Sequence, residues 1–349
     1  AYGQSNTENL DGDTLVMPRV GFEYTPFDRT KVTGGFGLFA GGDPQVWTSN
    51  AFTPPVFFAS ARDLTGVNPA NGTPASLIEA VKANDANDPG PIDIIDPDFE
   101  TPSDWKASLR LDQRFDLNFD QFGVHLGDDY LVSLQALYAV TNNGFRWVDL
   151  AQTDLAAALP AGVAPDGRPI YADLEDLGIN NAIQLTNYDD GSSLTLTAAL
   201  SKQYDNGLGF YASYAHQDIE SVTPGSSSRG VSNFRSIIDF DRNNPGAYTA
   251  PYQTEHAFKV NLSYEKEIFG DLNSRFNLFG QIYSGEPFSY TFDISSSNAL
   301  FGRPGDGESP YDNDLLYVPA ISGGAINDPG VVVASGFDEQ AFIEYGQSH

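Results

Sequence analysis

The chain contains no cysteine, few basic residues and no long apolar run. With no cysteine among 349 residues, disulfide scaffolds, thiolate zinc sites and cysteine nucleophiles are excluded. Lys and Arg number 18 against 47 Asp and Glu, a formal charge of −29. That balance argues against nucleic acid as a partner, because phosphates require a basic face. No stretch of about 18 apolar residues occurs, which excludes a transmembrane helix. It does not exclude strands that cross a membrane, because their alternation averages the hydropathy away. About 150 residues per domain would suggest two domains, but β-barrels exceed that length as one unit.

What is present suits strands and polar loops. The chain holds 24 Phe, 17 Tyr and 34 Gly, and aromatic residues favour pleated, half-covered surfaces. Period-2 alternation is clearest from Asp104 to Leu117. Trp105, Ala107, Leu109, Leu111, Phe115 and Leu117 share one face, and Asp104, Lys106, Ser108, Arg110, Asp112, Arg114 and Asp116 the other. One face suits lipid or a core and the other requires water. The same pattern predicts eight strands, near 14–25, 29–41, 104–117, 129–149, 191–203, 207–222, 254–268 and 272–292. Phe258, Val260, Leu262 and Tyr264 alternate with Lys259, Asn261 and Ser263 in one of them.

Longer and shorter connections take turns. Residues 42–103, 150–190 and 223–253 are long and a tail, 293–349, follows the last strand. Pro26–Asp28, Asp205-Asn206 and Gly270-Asp271 are short, and 118–128 is intermediate. Outer-membrane barrels are built this way, with short periplasmic turns and long extracellular loops. The expected fold is therefore all-β, an antiparallel transmembrane β-barrel with long extracellular loops. The first strand precedes a short turn, which sets both Ala1 and the tail outside the cell. Eight strands of this kind, without an aromatic-ended closing strand, are expected to be part of a larger barrel, since open edges are not tolerated in lipid. The alternative is one missed strand at each end and closure with about ten strands.

Five separated blocks carry a family resemblance. They are Gly34-Gly35-Phe36-Gly37-Leu38-Phe39-Ala40-Gly41-Gly42-Asp43-Pro44-Gln45-Val46-Trp47-Thr48-Ser49-Asn50, Pro102-Ser103-Asp104-Trp105-Lys106-Ala107, Glu255-His256-Ala257-Phe258-Lys259-Val260-Asn261-Leu262-Ser263-Tyr264, Ser284-Gly285-Glu286-Pro287-Phe288-Ser289-Tyr290-Thr291-Phe292 and Asn313-Asp314-Leu315-Leu316-Tyr317-Val318-Pro319. In order and spacing they resemble the C-terminal half of the barrel of Oar-like TonB-dependent receptors. The resemblance implies a 22-stranded barrel with an N-terminal plug, preceded by a carboxypeptidase-regulatory-like domain. Neither part is in this sequence, nor is a TonB box. It implies import of an extracellular substrate with TonB-delivered energy. The partners implied are outer-membrane lipid and lipopolysaccharide, the TonB complex through the missing N-terminal part, and an unidentified substrate. A structural or adhesive barrel, a passive pore and a secreted soluble β-rich binder are the alternatives.

Candidate site residues fall in the loops. Trp47, Phe52, Phe57, Phe58, Trp147 and Tyr171 could contact a ligand; the plainer reading is that they pack loops or, with Trp105 and Tyr130, form interfacial girdles. Asp93, Asp96, Asp98 and Glu100 form an acidic run that could take Ca²⁺. No D-x-[DN]-x-[DN]-G loop supports it, and a solvated, repulsive surface is the simpler reading. No cofactor is expected. The glycine run at 34–42 lacks G-x-G-x-x-G spacing and a following Lys, so a phosphate loop is disfavoured. His125, His216, His256 and His349 are scattered, and no G-x-S-x-G elbow occurs. No catalytic residue is singled out, and an enzyme is not expected. The lumen charges Lys106, Arg110, Asp112 and Arg114 are expected to pair with the barrel's inner wall or its plug.

Overall fold

The computed structural model describes residues 14–40, 45–52, 92–119, 124–156, 162–172, 179–223, 225–270, 272–292, 314–329 and 335–348, together with the single positions 75, 174, 177, 331 and 333. Its dominant feature is one antiparallel wall. β1 (Arg19–Phe27), β2 (Thr30–Ala40), β4 (Ser103–Phe115), β7 (Tyr130–Asp149), β9 (Ser192–Gln203), β10 (Leu208–Ser221), β12 (His256–Phe269) and β13 (Leu272–Tyr283) pair in that order. Each strand hydrogen-bonds its sequence neighbour in the wall, which is the meander expected of an outer-membrane barrel. β1 and β13 do not pair with each other among the described residues, so the sheet is open.

The register explains the alternation. Tyr24, Val32, Leu111, Leu134, Ala198, Tyr214, Phe258 and Ile282 stand side by side across all eight strands. One residue along, Lys31, Asp112, Ser133, Ala199, Ser213, Lys259 and Gln281 form the matching row on the opposite face. A period of two separates these rows, so a one-residue slip of any strand would put its charges into the apolar face. On the polar face Arg110 pairs with Asp112 at 2.9 Å and Lys106 with Asp104 at 3.2 Å. The lumen charges thus bind the wall itself.

Proline and glycine set the strand ends. β1 begins at Arg19 rather than near 14, because Pro18 has no N–H for the ladder. The Pro18 carbonyl still accepts from Leu38 N at 3.0 Å. β1 then continues through Pro26 to Phe27 with a register shift after Tyr24, as an outer strand tolerates. β13 stops at Tyr283, well short of 292, where Ser284-Gly285-Glu286-Pro287 follows. The intermediate connection carries a small hairpin of β5 (Asn118–Phe119) and β6 (Val124–His125).

The longest strands inside segments read from the sequence as loops are β3 (Ile92–Ile95) and β8 (Ala182–Tyr188). They pair in parallel, and β8 pairs antiparallel with residues 144–149 of β7. β7 is therefore one strand in two places. Its first part sits in the wall between β4 and β9, and its last turns away to carry β8. A tilted strand needs only about 9–11 residues to cross a bilayer, whereas β7 has 20. The surplus rises on the extracellular side. The short β11 (Tyr248–Thr249) pairs with the end of β10 there. Residues 321–326 form a hairpin, β14 (Ile321–Ser322) and β15 (Ala325–Ile326), and Glu339–Ser348 is a helix.

Burial is inverted relative to a water-soluble sheet. Leu109, Tyr138 and Phe36 on the apolar face of the wall are about half exposed (53%, 48% and 51%). The buried clusters lie instead in the extracellular loops. One joins Ile95, Phe99, Trp147, Ile183, Leu185, Val231 and Phe234, and the other Ile94, Ala151, Leu174 and Ala182. A continuous apolar face of this extent is what lipid covers.

Candidate functional site

The extracellular layer is built on β7, β8 and β3. Trp147 and Phe145, two apart on β7, meet Trp47 from the first long connection, with ring centroids 5.2 and 4.4 Å from it. The helix Gly230–Arg235 from the third connection seats Val231 and Phe234 in the same cluster. Trp47 Nε1 donates to the Ser227 carbonyl at 2.7 Å, fastening two loops together. Below, a buried polar knot fastens a third. Asp149 Oδ1 accepts from Ala151 N and Ala182 N at 3.0 Å, and Asp149 N donates to Asn243 Oδ1 at 2.8 Å. Asn243 Nδ2 reaches Gln152 Oε1 at 3.1 Å. The later chain joins through Arg242 and Asp314, 3.0 Å apart, and through Arg168 Nη1 on the Leu315 carbonyl at 2.7 Å.

Beside this layer lies a cleft of about 920 Å³. It is lined by the end of β10, by Glu255 just before β12, by residues between 236 and 253, by 285–289 and by Leu315. Four carboxylates line it, Asp218, Asp239, Glu255 and Glu286, with Tyr248 and Phe288 as its aromatic walls. Among the described residues, no lysine or arginine lines it. Burial pushes the Asp239 carboxyl up to about 6, against the pull of the backbone N–H groups of Asp241, Phe240 and Gly246. The neighbouring charge of Asp239 also raises the Tyr248 hydroxyl, after desolvation. Such a cleft suits a cationic or hydroxyl-rich ligand of small size.

The sequence-derived candidates are distributed differently. Trp147 is 1% exposed and Trp47 is packed against it, so both hold loops together and Trp147 is out of reach of a ligand. Trp147 likewise belongs to no girdle. Phe52 is exposed at the end of the helix Gln45–Asn50, away from the cleft lining. Phe57 and Phe58 lie outside the described residues. The Tyr171 hydroxyl donates to Asp241 Oδ1 at 2.7 Å and is pushed up by burial and by that carboxylate.

The acidic run does not converge. Asp96 accepts from Asp98 N and from Thr186 Oγ1. Glu100 Oε2 accepts from Asn143 Nδ2 at 2.7 Å. Burial raises Asp93, with Arg229 opposing. These carboxylates bind the loops around them, and among the described residues the donor group that does converge is elsewhere. His216, Glu255 and His256 offer ligand atoms within 4.8 Å of one another. Forty residues separate the two histidines in sequence, but the β10–β12 register sets them directly opposite.

Aromatic clusters occupy both ends of the wall, although Tyr130 itself is 4% exposed and covered by its neighbours. Trp105 stacks on Phe36 at 5.0 Å near the extracellular end. Tyr130 meets Phe115, Tyr204 and Phe210 at the periplasmic end, at 5.8, 6.3 and 6.2 Å. From Trp105 to Phe115 along β4 is roughly 33 Å, or about 25 Å of height at a 40° tilt, which matches the apolar band of an outer-membrane barrel. An apolar outer face, a polar inner face, aromatic clusters at both ends and a folded loop layer on one side define an integral outer-membrane β-barrel protein. A family model described as Outer membrane beta barrel domain matches residues 3–345, and the chain belongs to that family. Its site is the Gram-negative outer membrane. No curated protein matches the chain.

Proposed function

We propose that this wall belongs to a TonB-dependent receptor of the Oar-like type, which binds an extracellular substrate and imports it with TonB-delivered energy. The observation that carries the reading is a wall that is open among the described residues. An eight-stranded closed barrel fills its interior with its own side chains. Among the described residues β1 and β13 are left unpaired with each other, and polar-face residues such as Lys106, Arg110 and Lys259 are exposed. Open edges in hydrocarbon cost several kcal/mol per unsatisfied group, so further strands complete a wider barrel with room for a plug. The five blocks that carry the resemblance support the same reading. Three begin at the extracellular ends of the wall, at the tops of β4, β12 and β13, and a fourth starts at Gly34 within β2 and runs out through its top. Substrate choice falls to the loop layer and its acidic cleft, and the wall itself performs no covalent chemistry.

The test is the native protein extracted from outer membranes. Its intact mass is expected far above 37.7 kDa, with a plug and TonB box upstream, and it is expected to crosslink to TonB. A native species of that smaller mass that does not crosslink to TonB overturns the reading and leaves a small pore or adhesin.

A further inference from the structure

We infer that His216, His256 and Glu255 form a site for one divalent transition-metal ion at the extracellular rim of the outer face. His256 is the first residue of β12, so it stands at the end of the wall and not in the middle of the apolar band. His216 faces it across the β10–β12 ladder, with the rings 5.1 Å apart and inclined by 30°. Glu255 precedes β12 and brings its carboxylate Oε1 to 3.5 Å from His256 Nε2. Tetrahedral zinc with bonds of about 2.0–2.1 Å places its donors roughly 3.3 Å apart. The three donor atoms lie within 4.8 Å of one another, so small side-chain rotations close the site.

The second ring nitrogens are already committed. His216 Nδ1 lies 3.1 Å from the Glu255 carbonyl, which can only accept, so Nδ1 carries the hydrogen and Nε2 is the lone-pair donor. His256 Nδ1 lies 2.8 Å from the Tyr214 hydroxyl. Metal-ligating histidines are held in this way, the other nitrogen fixed by a carbonyl or hydroxyl. His256 therefore presents Nε2 to the Glu255 carboxylate, and Nε2 is the nitrogen His216 has left to offer, with water free to complete the coordination. Two imidazoles and one carboxylate favour Zn²⁺, Ni²⁺ or Cu²⁺ over the hard, oxygen-seeking Ca²⁺ and Mg²⁺. Bound metal would clamp β10 to β12 and fix Glu255, which also lines the acidic cleft. This inference does not depend on how the barrel is energised.

The experiment is titration of the native protein with Zn²⁺, in detergent micelles free of lipopolysaccharide, followed by calorimetry, with Co²⁺ absorption reporting nitrogen ligation. One ion per chain is expected, uncompeted by millimolar Mg²⁺ or Ca²⁺. His216→Ala and His256→Ala are each expected to weaken binding at least tenfold, and Tyr214→Phe by less than either. All variants should retain the heat-dependent gel shift of a folded barrel; a variant that loses it is replaced by His216→Gln or His256→Gln. Stoichiometric binding that survives the double histidine variant, or absence of Zn²⁺ binding by folded wild type, overturns the site.

Discussion

Carboxylates in this protein titrate in opposite directions according to where they sit. At the periplasmic end, Arg29 forks onto both oxygens of Asp116 at 2.7 Å and also reaches Asp129. Arg114 binds the other oxygen of Asp129 at 2.8 Å. The Arg29 guanidinium and the Asp129 N–H hold the Asp116 carboxyl down at about 2. A depressed value means that stability from Asp116 is present above the ordinary carboxylate range and is lost as pH falls toward 2. Arg29→Ala should therefore return Asp116 upward toward that range, seen as an earlier acid-induced opening of the β1–β2 turn in amide exchange. Asp239 behaves in reverse. Its value of about 6 lies above that of an unfolded chain, so the native state binds its proton more tightly. Stability from this group is full below about pH 4 and lost as pH rises through 6. Protease resistance of the loop layer is expected to improve from pH 7 to pH 5, and Asp239→Asn should diminish that improvement.

Among the elements, the loop layer is the one whose construction least resembles a barrel. The helix Gly230–Arg235 approaches β3 and β8 so closely that a Cβ on Gly230 would lie 2.7 Å from Asp93 Oδ1 and 3.4 Å from Ile183 and Trp147. Gly230→Ala is expected to cost about 1–3 kcal/mol by overpacking. Phe234 is fully buried, and Phe234→Ala should cost about 3–5 kcal/mol. Both should loosen the layer while leaving the wall folded, which limited proteolysis from the extracellular side reads directly. The cause of the wall's independence is the continuous β4–β7–β9 ladder, which does not use the loop core. β3 and β8 escaped the sequence reading for a physical reason. Ile92–Ile95 and Ala182–Tyr188 are short, are covered by other loops, and pair with each other across about ninety residues. A covered strand shows no alternation, and parallel pairing leaves no turn signal.

At the scale of the whole molecule, the two faces of the wall obey different solvents. Leu109 is at the middle of β4 and faces outward beside Ala136. Leu109→Arg should cost about 2–4 kcal/mol near the bilayer midplane. Thr197 stands on the polar row beside Gln135 and Ala215, and Thr197→Lys should change stability little. Equilibrium unfolding of the native protein in lipid vesicles distinguishes them, and equal costs would contradict the assignment of the faces. The same solvent asymmetry accounts for the high exposure of Phe276, Leu278 and Ile282 on β13.

The sequence by itself determined the wall. Alternation along β4, β9, β10 and β12 records which residues meet lipid and which meet water, because a strand turns its side chains every second position and the bilayer penalises any error. Alternating connection lengths recorded the side of the membrane. Tertiary structure alone decided what the loops became. It turned Trp47 and Trp147 from exposed candidates into a core, scattered the acids at 93–100 among separate partners, and gathered Asp218, Asp239, Glu255 and Glu286 around one cleft. It also brought His216 beside His256. Those outcomes depend on pairings between distant segments, and no local periodicity encodes which distant segment a loop will meet.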